Sequence, residues 1–243
     1  MAKVSVIVPA AGSGKRFGGK ANKIFQRIAG QPVFLRTLEA FTGRDDVVQT
    51  LLVVSAADEE EIRTRFGGAL GFMGVTVVTG GATRADSVRN ALARVSDEAE
   101  LVAVHDAVRP CVSALWIDAV FAEAGKTGAA ILAYPLHGTL KKVSGAGMID
   151  QTLPREGLWE AQTPQVFRRE LLVRAYAGPV TDATDDAQLV ERLGHPVSVV
   201  TGDPRNVKIT TPGDLRLAES VLGTLPKPKP KDDGMGPFHE ARW

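Results

Sequence analysis

An α/β fold with a doubly wound, mostly parallel twisted sheet and one protruding β-hairpin arm is predicted by three features of this chain. Short β-branched apolar runs recur, segments of helical spacing lie between them, and one stretch abandons that rhythm for alternation. The runs are "VSVIV" (4–8), "VVQTLLVVS" (47–55), "VTVVTG" (75–80), "LVAVHD" (101–106) and "AAILAYP" (129–135). They read as strands buried on both faces. The helical segments are "VFLRTLEAF" (33–41), "DEEEIRTRF" (58–66), "RADSVRNALARV" (84–95) and "SALWIDAVFAEAG" (113–125), the last with Ser113 as its N-cap. Their alternation implies right-handed crossovers and a ligand site at the carboxyl ends of the strands.

The exception is "LHGTLKKVSGAGMIDQTLP", residues 136–154, whose apolar and polar residues alternate around "SGAG". That is hairpin chemistry, and a hairpin leaving an α/β body has a surface to cover, so it is expected to be a dimer arm. Residues 1–224 are expected to form one domain. In residues 225–243, "PKPKPKDDGMGPFHEARW" has proline and charge without periodicity and reads as a disordered tail.

The 243 residues are 44% hydrophobic and 23% charged, enough for one large core. Lysine and arginine number 29 against 28 aspartate and glutamate, a net charge of +1, so generic attraction to nucleic acid is not expected and any anion site must be local. The lone Cys111 has no disulfide partner, and four scattered histidines offer no zinc spacing. With no apolar run long enough for a signal peptide or a membrane span, the expectation is a cytoplasmic protein without membrane contact.

The first strand runs into "PAAGSGKRFGGKANK", residues 9–23. Gly14, Gly19 and Lys20 satisfy the spacing of a P-loop, but Ala21 follows where a magnesium-binding hydroxyl is needed. A dinucleotide fingerprint fails at Phe17, which stands where its third glycine belongs. What fits is a loop whose glycines bring backbone N–H groups to a triphosphate while Lys15, Arg16, Lys20 and Lys23 supply charge.

Six motifs then occur in order: "PAAGSGKRF" with Lys23, "GGATRADSV", "VHDAVRPCV", "GTLKKV", "REGLWEAQTPQVF" and "NVKITTPGDL". Over about nine tenths of its length the chain resembles the 2-C-methyl-D-erythritol 4-phosphate cytidylyltransferases. The resemblance implies a Rossmann-like nucleotidyltransferase fold, a homodimer joined by a β-arm, and use of CTP with magnesium (Mg2+) to make a CDP-alcohol and pyrophosphate. It further implies that Arg16 and Lys23 neutralise the CTP phosphates and that Lys208 joins them in catalysis. CTP would be held by Ala10, Ala11, Gly12, Gly14, Gly80, Gly81, Ser87 and Asp106, with Asp106 also near the metal. Methylerythritol phosphate would meet Arg109, Thr139, Lys141, Arg155, Thr163 and Thr184, with Arg155 reaching the partner's site. Because the attacking group is the substrate's own phosphate, no strong general base is needed, in keeping with the lack of a Ser-His-Asp arrangement.

His105 reads as a satisfied strand-end histidine, and Trp159 and Phe167 as core packing. The chain departs from the family pattern at Gly138, where an aspartate is frequent, and at Ile24, where an amide is. The rival readings are a D-ribitol-5-phosphate cytidylyltransferase, disfavoured by "GTLKKV", and a nucleotide-binding module without turnover, disfavoured by Arg16, Lys23, Asp106 and Lys208 together.

Overall fold

In the computed structural model, which describes residues 2–12, 17 and 23–228, the predicted strands take their places in one seven-stranded sheet. They are β1 (Val4–Pro9), β4 (Val47–Val54), β5 (Val75–Thr79), β6 (Leu101–Val104) and β7 (Ala129–Pro135). Small pairs form from β2 (Arg27–Ile28) with β3 (Gln31–Pro32), and from β8 (Leu140–Val143) with β9 (Ile149–Leu153). The sheet also takes up β10 (Trp159–Arg168) and β11 (Ser198–Thr201), in the order β11-β7-β10-β6-β1-β4-β5. All neighbours pair in parallel except β10, which runs antiparallel to both β6 and β7.

The helices are α1 (Val33–Glu39), α2 (Ala56–Phe72), α3 (Arg84–Leu92), α4 (Ala114–Thr127), α5 (Arg169–Ala177), α6 (Asp186–Glu191) and α7 (Pro212–Val221). Alternation along β1 divides the core between the two faces of the sheet. Val4, Val6 and Val8 pack with residues of α1, α2 and α4, whereas Ile7 packs with those of α3, α5 and α6. Consequently β4 and β6 leave β1 on opposite sides, and the crevice outside their carboxyl ends is the natural ligand position.

Ser113 caps α4 as expected, accepting from the Leu115 N–H. Helix α2 runs six residues beyond Phe66, through Gly67, Gly68 and Gly71. Each glycine costs a helix about 1 kcal/mol relative to alanine, and burial of Leu70 at the far end offsets much of that penalty. Trp159 is not core: it begins β10 opposite Pro135, at the foot of the hairpin, and is 43% exposed. Phe167, eight residues along, is fully buried.

Among the described residues the β8-β9 hairpin pairs only with itself. Its turn is closed by the Ser144 N–H bonding to the Met148 carbonyl at 2.9 Å. At the other end, residues 229–243 of the expected tail lie outside the described residues. Order extends past residue 224, however, because Leu225 packs against the core and the Ser113 hydroxyl donates to the Pro226 carbonyl at 2.6 Å. Among the described residues no helix is long and apolar enough to cross a membrane.

Candidate active site

A cleft of about 380 Å³ opens where β1 and β6 end. Ala10, Ala11 and Gly12 leave β1 to form one wall, and the Ala10 N–H is fixed by the Val53 carbonyl at 2.7 Å. Lys23 and Ile24 face them from a single 3-10 turn, Lys23–Phe25. That turn is held by apolar packing: Ile24 is buried in the core, and Phe25 stacks on Phe66 at 6.0 Å while meeting Phe34 edge-on at 6.2 Å. Ile24, a departure from the family pattern, is thus core material here. The Lys23 ammonium donates to the Ile209 carbonyl at 3.1 Å. Gly14 and Arg16 lie outside the described residues.

The opposite wall is the loop into α3, with Gly81, Ala82, Thr83, Arg84 and Ser87. Thr83 and Asp86 form a reciprocal capping box, so Asp86 begins the helix as its position in the first turn implies. Ser87 is buried, accepts from the Gly81 N–H at 3.1 Å and donates to the Thr83 carbonyl at 2.8 Å. The glycines here have a reason in the protein itself. A Cβ on Gly81 would lie 2.4 Å from the Asp86 Cβ, and one on Gly80 would lie 2.7 Å from the Ser87 Oγ. The Gly80 N–H donates to the Val54 carbonyl at 2.7 Å and Gly80 is not part of the cleft lining, whereas Gly81 lines it.

Asp106 closes the cleft beneath these walls. Its buried carboxylate meets the Lys208 Nζ at 2.8 Å, the Arg84 Nε at 3.5 Å and the Arg109 Nε at 3.5 Å. Burial by itself would raise its pKa, but Arg84, Lys208 and Arg109 outweigh that and hold the carboxyl well below the usual carboxylate range. Arg84 spans two acids, since its Nη2 also bonds the fully buried Asp186 at 2.7 Å, and its pKa is raised: burial opposes the charge but both carboxylates favour it. At the buried Arg109 burial dominates and the pKa falls. Its Nη1 donates to the Asn206 carbonyl at 2.7 Å.

Beyond Asp106 lies a second cavity of about 220 Å³ that shares Arg84, Asp106 and Lys208 with the first and adds Arg109, Thr163, Thr184 and the Gln162 and Gln165 side chains. Thr163 reaches it because β10 advances from Ala161 to Gln165 while β7 moves only from Ala133 to Ile131, a bulge that lifts the intervening residues out of register. The Thr163 hydroxyl meets the His105 Nδ1 and the Asp106 N–H, each at 3.1 Å, and the His105 Nε2 meets the Arg109 carbonyl, also at 3.1 Å. His105 is therefore satisfied, as expected of a strand-end histidine. Burial is the largest influence on it and pushes its pKa down to about 4, so the ring is neutral near pH 7. Thr184 sits just before α6, its N–H bonded to the Gln188 Oε1 at 2.8 Å.

Thr139, Lys141 and Arg155 line neither cavity. Lys141 and Arg155 are turned toward their own hairpin, Lys141 to the Thr152 hydroxyl at 2.6 Å and Arg155 to the His137 carbonyl. Gly138, the other departure from the family pattern, has open space around it.

Several residues that support the site carry no catalytic signature in the sequence. Gln165 accepts from the Asp186 and Ala187 N–H groups at 3.1 and 3.0 Å, fixing the start of α6. Asn206 donates to the Thr163 carbonyl at 2.9 Å, and Gln162 to the Asp203 carbonyl at 2.9 Å, tying β10 to the segment that carries Lys208. Their only sequence signal is membership of the "AQTPQ" and "NVKIT" motifs.

The family model for IspD, 2-C-methyl-D-erythritol 4-phosphate cytidylyltransferase, matches residues 4–224. The chain belongs to this family. It is 46% identical over 235 residues to a 2-C-methyl-D-erythritol 4-phosphate cytidylyltransferase of Rhodopirellula baltica, covering 91% of this chain and 95% of that one. A Symbiobacterium thermophilum protein of the same name is 44% identical over 223 residues, covering 90% of this chain and 92% of that one. The crystal structure of a 2-C-methyl-D-erythritol 4-phosphate cytidylyltransferase from Thermus thermophilus superposes with a TM-score of 0.76 at 36% identity, covering 91% of this chain and 99% of that one. IspD membership therefore extends across the sheet, the cleft and the hairpin.

The glycine contacts give an expected outcome. Gly81→Ala should lower unfolding free energy by about 1–3 kcal/mol, the range for forcing extra volume into a packed site. Gly12→Ala, with nothing within 4 Å of the added carbon among the described residues, should change it by less than about 0.5 kcal/mol. Denaturant titration of both variants checks the contrast.

Proposed function

We propose that this chain transfers the cytidylyl group of CTP to 2-C-methyl-D-erythritol 4-phosphate, releasing pyrophosphate and giving 4-diphosphocytidyl-2-C-methyl-D-erythritol for isoprenoid synthesis. Alongside family membership, the observation that carries this reading is the pair of adjoining cavities with Asp106, Arg84 and Lys208 as their common wall. The larger takes the nucleotide against Ala10, Ala11, Gly12, Gly81 and Ser87. The smaller takes the polyol phosphate against Arg109, Thr163 and Thr184. The reacting phosphate and the α-phosphorus then meet beside Lys208.

A phosphate oxygen of the substrate attacks the α-phosphorus in line, one P–O bond forms, and the bond to the departing pyrophosphate breaks. The nucleophile is already an anion, so positioning and charge neutralisation do most of the work. Lys23 and Lys208 both supply positive charge to the cleft, and Arg16 is assigned the same role. Asp106 keeps Lys208 and Arg84 from repelling each other before the nucleotide arrives.

Magnesium fits this donor set in a limited way. Among the described residues no cluster of three metal-ligating side chains exists, but magnesium is commonly held by one or two carboxylates together with substrate phosphates. Asp106 would be that carboxylate. When bound, the ion would neutralise charge that develops on the phosphate oxygens.

The proposal extends to a homodimer in which the hairpin of one subunit carries Thr139, Lys141 and Arg155 to the partner's site. It is supported by the lining of the two cavities, which includes none of these residues, and by the exposed Val143, Met148 and Ile149 on the hairpin. A cytoplasmic location fits the buried Cys111, which forms no disulfide.

Pyrophosphate release should occur with CTP, magnesium and methylerythritol phosphate and not with D-ribitol 5-phosphate under matched conditions. Release with ribitol phosphate alone would move the substrate while keeping the chemistry, and silence with both would contradict the enzymatic reading. For the shared site, mixing Arg155→Ala subunits with Lys23→Ala subunits should restore part of the activity, since some mixed dimers contain one intact site. A mixture no more active than either parent would overturn delivery of Arg155 across the interface.

A further inference from the structure

The geometry points to His105 as a positioning residue that fixes the hydrogen-bond polarity of Thr163, making Thr163 an acceptor toward a hydroxyl of the alcohol substrate. The inference deepens the cytidylyltransferase reading and takes the alcohol's identity from it.

The chain of bonds leaves little freedom. The Arg109 carbonyl can only accept, so the His105 Nε2, 3.1 Å away, must carry the ring proton. The ring is fully buried against Phe41, an environment that disfavours the charged form, and in the neutral imidazole the Nδ1 is then a bare lone pair. Its partner at 3.1 Å is the Thr163 hydroxyl, which must donate. The same hydroxyl oxygen receives the Asp106 N–H at 3.1 Å. Thr163 has now used its one proton and one of its two lone pairs, and what remains for the cavity it lines is a single acceptor site.

This assigns a preference to that part of the pocket. A phosphate oxygen offers no proton and gains nothing from Thr163, whereas a substrate O–H does. The phosphate of the incoming alcohol is thereby disfavoured near Thr163, and Arg109 and Lys208, which line the same cavity, are left as its partners. A site built to hydrogen-bond a hydroxyl discriminates strongly because its buried polar group is otherwise unpaired. The ring also packs on Phe41, with centroids 5.0 Å apart, so an aromatic replacement preserves volume while removing the lone pair.

Two variants and one spectrum test the inference. In His105→Phe the Thr163 proton loses its partner and turns toward the cavity. KM for methylerythritol phosphate should rise about tenfold or more, the size of one lost hydrogen bond in a buried site, with KM for CTP and kcat changed less than threefold. His105→Asn, whose amide oxygen takes the Nδ1 position, should bring KM for the alcohol back to within about threefold of the parent. Nitrogen-15 NMR of the parent enzyme, with the His105 signal identified by its loss in His105→Asn, should show the proton on Nε2 and a bare Nδ1. A proton on Nδ1, or KM values for both substrates that rise together, would overturn the inference. The spectrum reads the tautomer without turnover, so failure of the enzymatic reading and failure of this one are distinguishable.

Discussion

The Asp106 carboxylate gathers Arg84, Arg109 and Lys208, cations from three separate parts of the chain, at the point where β6 ends. Without a negative charge between them these groups would repel one another across a low-dielectric crevice. With it, each arrives already aimed: Lys208 toward the cleft, Arg84 bridging to Asp186 on α6, and Arg109 inward to the Asn206 carbonyl. A buried carboxylate is costly to desolvate, and only such close partners let it stay ionised. The two cavities share a wall because those partners share an acid.

Placement of that acid depends in turn on the sheet. Parallel β1 and β6 put their carboxyl ends side by side, and the antiparallel β10 brings Thr163 back over Asp106 through its bulge. A regular β10 would keep Thr163 in the ladder and leave the Asp106 N–H without its hydroxyl partner. Gln162, Gln165 and Asn206 then lock β10, α6 and the Lys208 segment to one another by side-chain amides, which can donate and accept at once. The electrostatics and the local backbone geometry are thus parts of one arrangement.

Much of this was legible in the sequence. Continuous apolar runs marked β1, β4, β6 and β7, because strands covered on both faces need no polar side, and also β5, although as the edge strand it buries only Val75. Alternation around "SGAG" marked the hairpin. β10 was harder to see: its first half is exposed and its second half buried, so it shows neither a clean alternation nor a clean apolar run. That profile also misled the expectation for Trp159. The glycines of α2 hid its last turns, since packing at Leu70 is a tertiary fact. Within the site, motif positions located Lys23, Ser87, Asp106 and Lys208 on the cleft. Arg84 as a bridge between Asp106 and Asp186, and the amides that tie β10 to its neighbours, depend on residues distant in the chain and leave no local pattern to read.

The central claim is that Asp106 organises the site's cations before any ligand binds, and equilibrium unfolding of Asp106→Asn without nucleotide or metal tests it most directly. The account predicts a loss of about 3 kcal/mol or more, because the buried Arg109 loses its ion-pair partner. Unfolding free energy within about 0.5 kcal/mol of the parent would mean that the carboxylate matters only once ligands arrive, and would contradict the account.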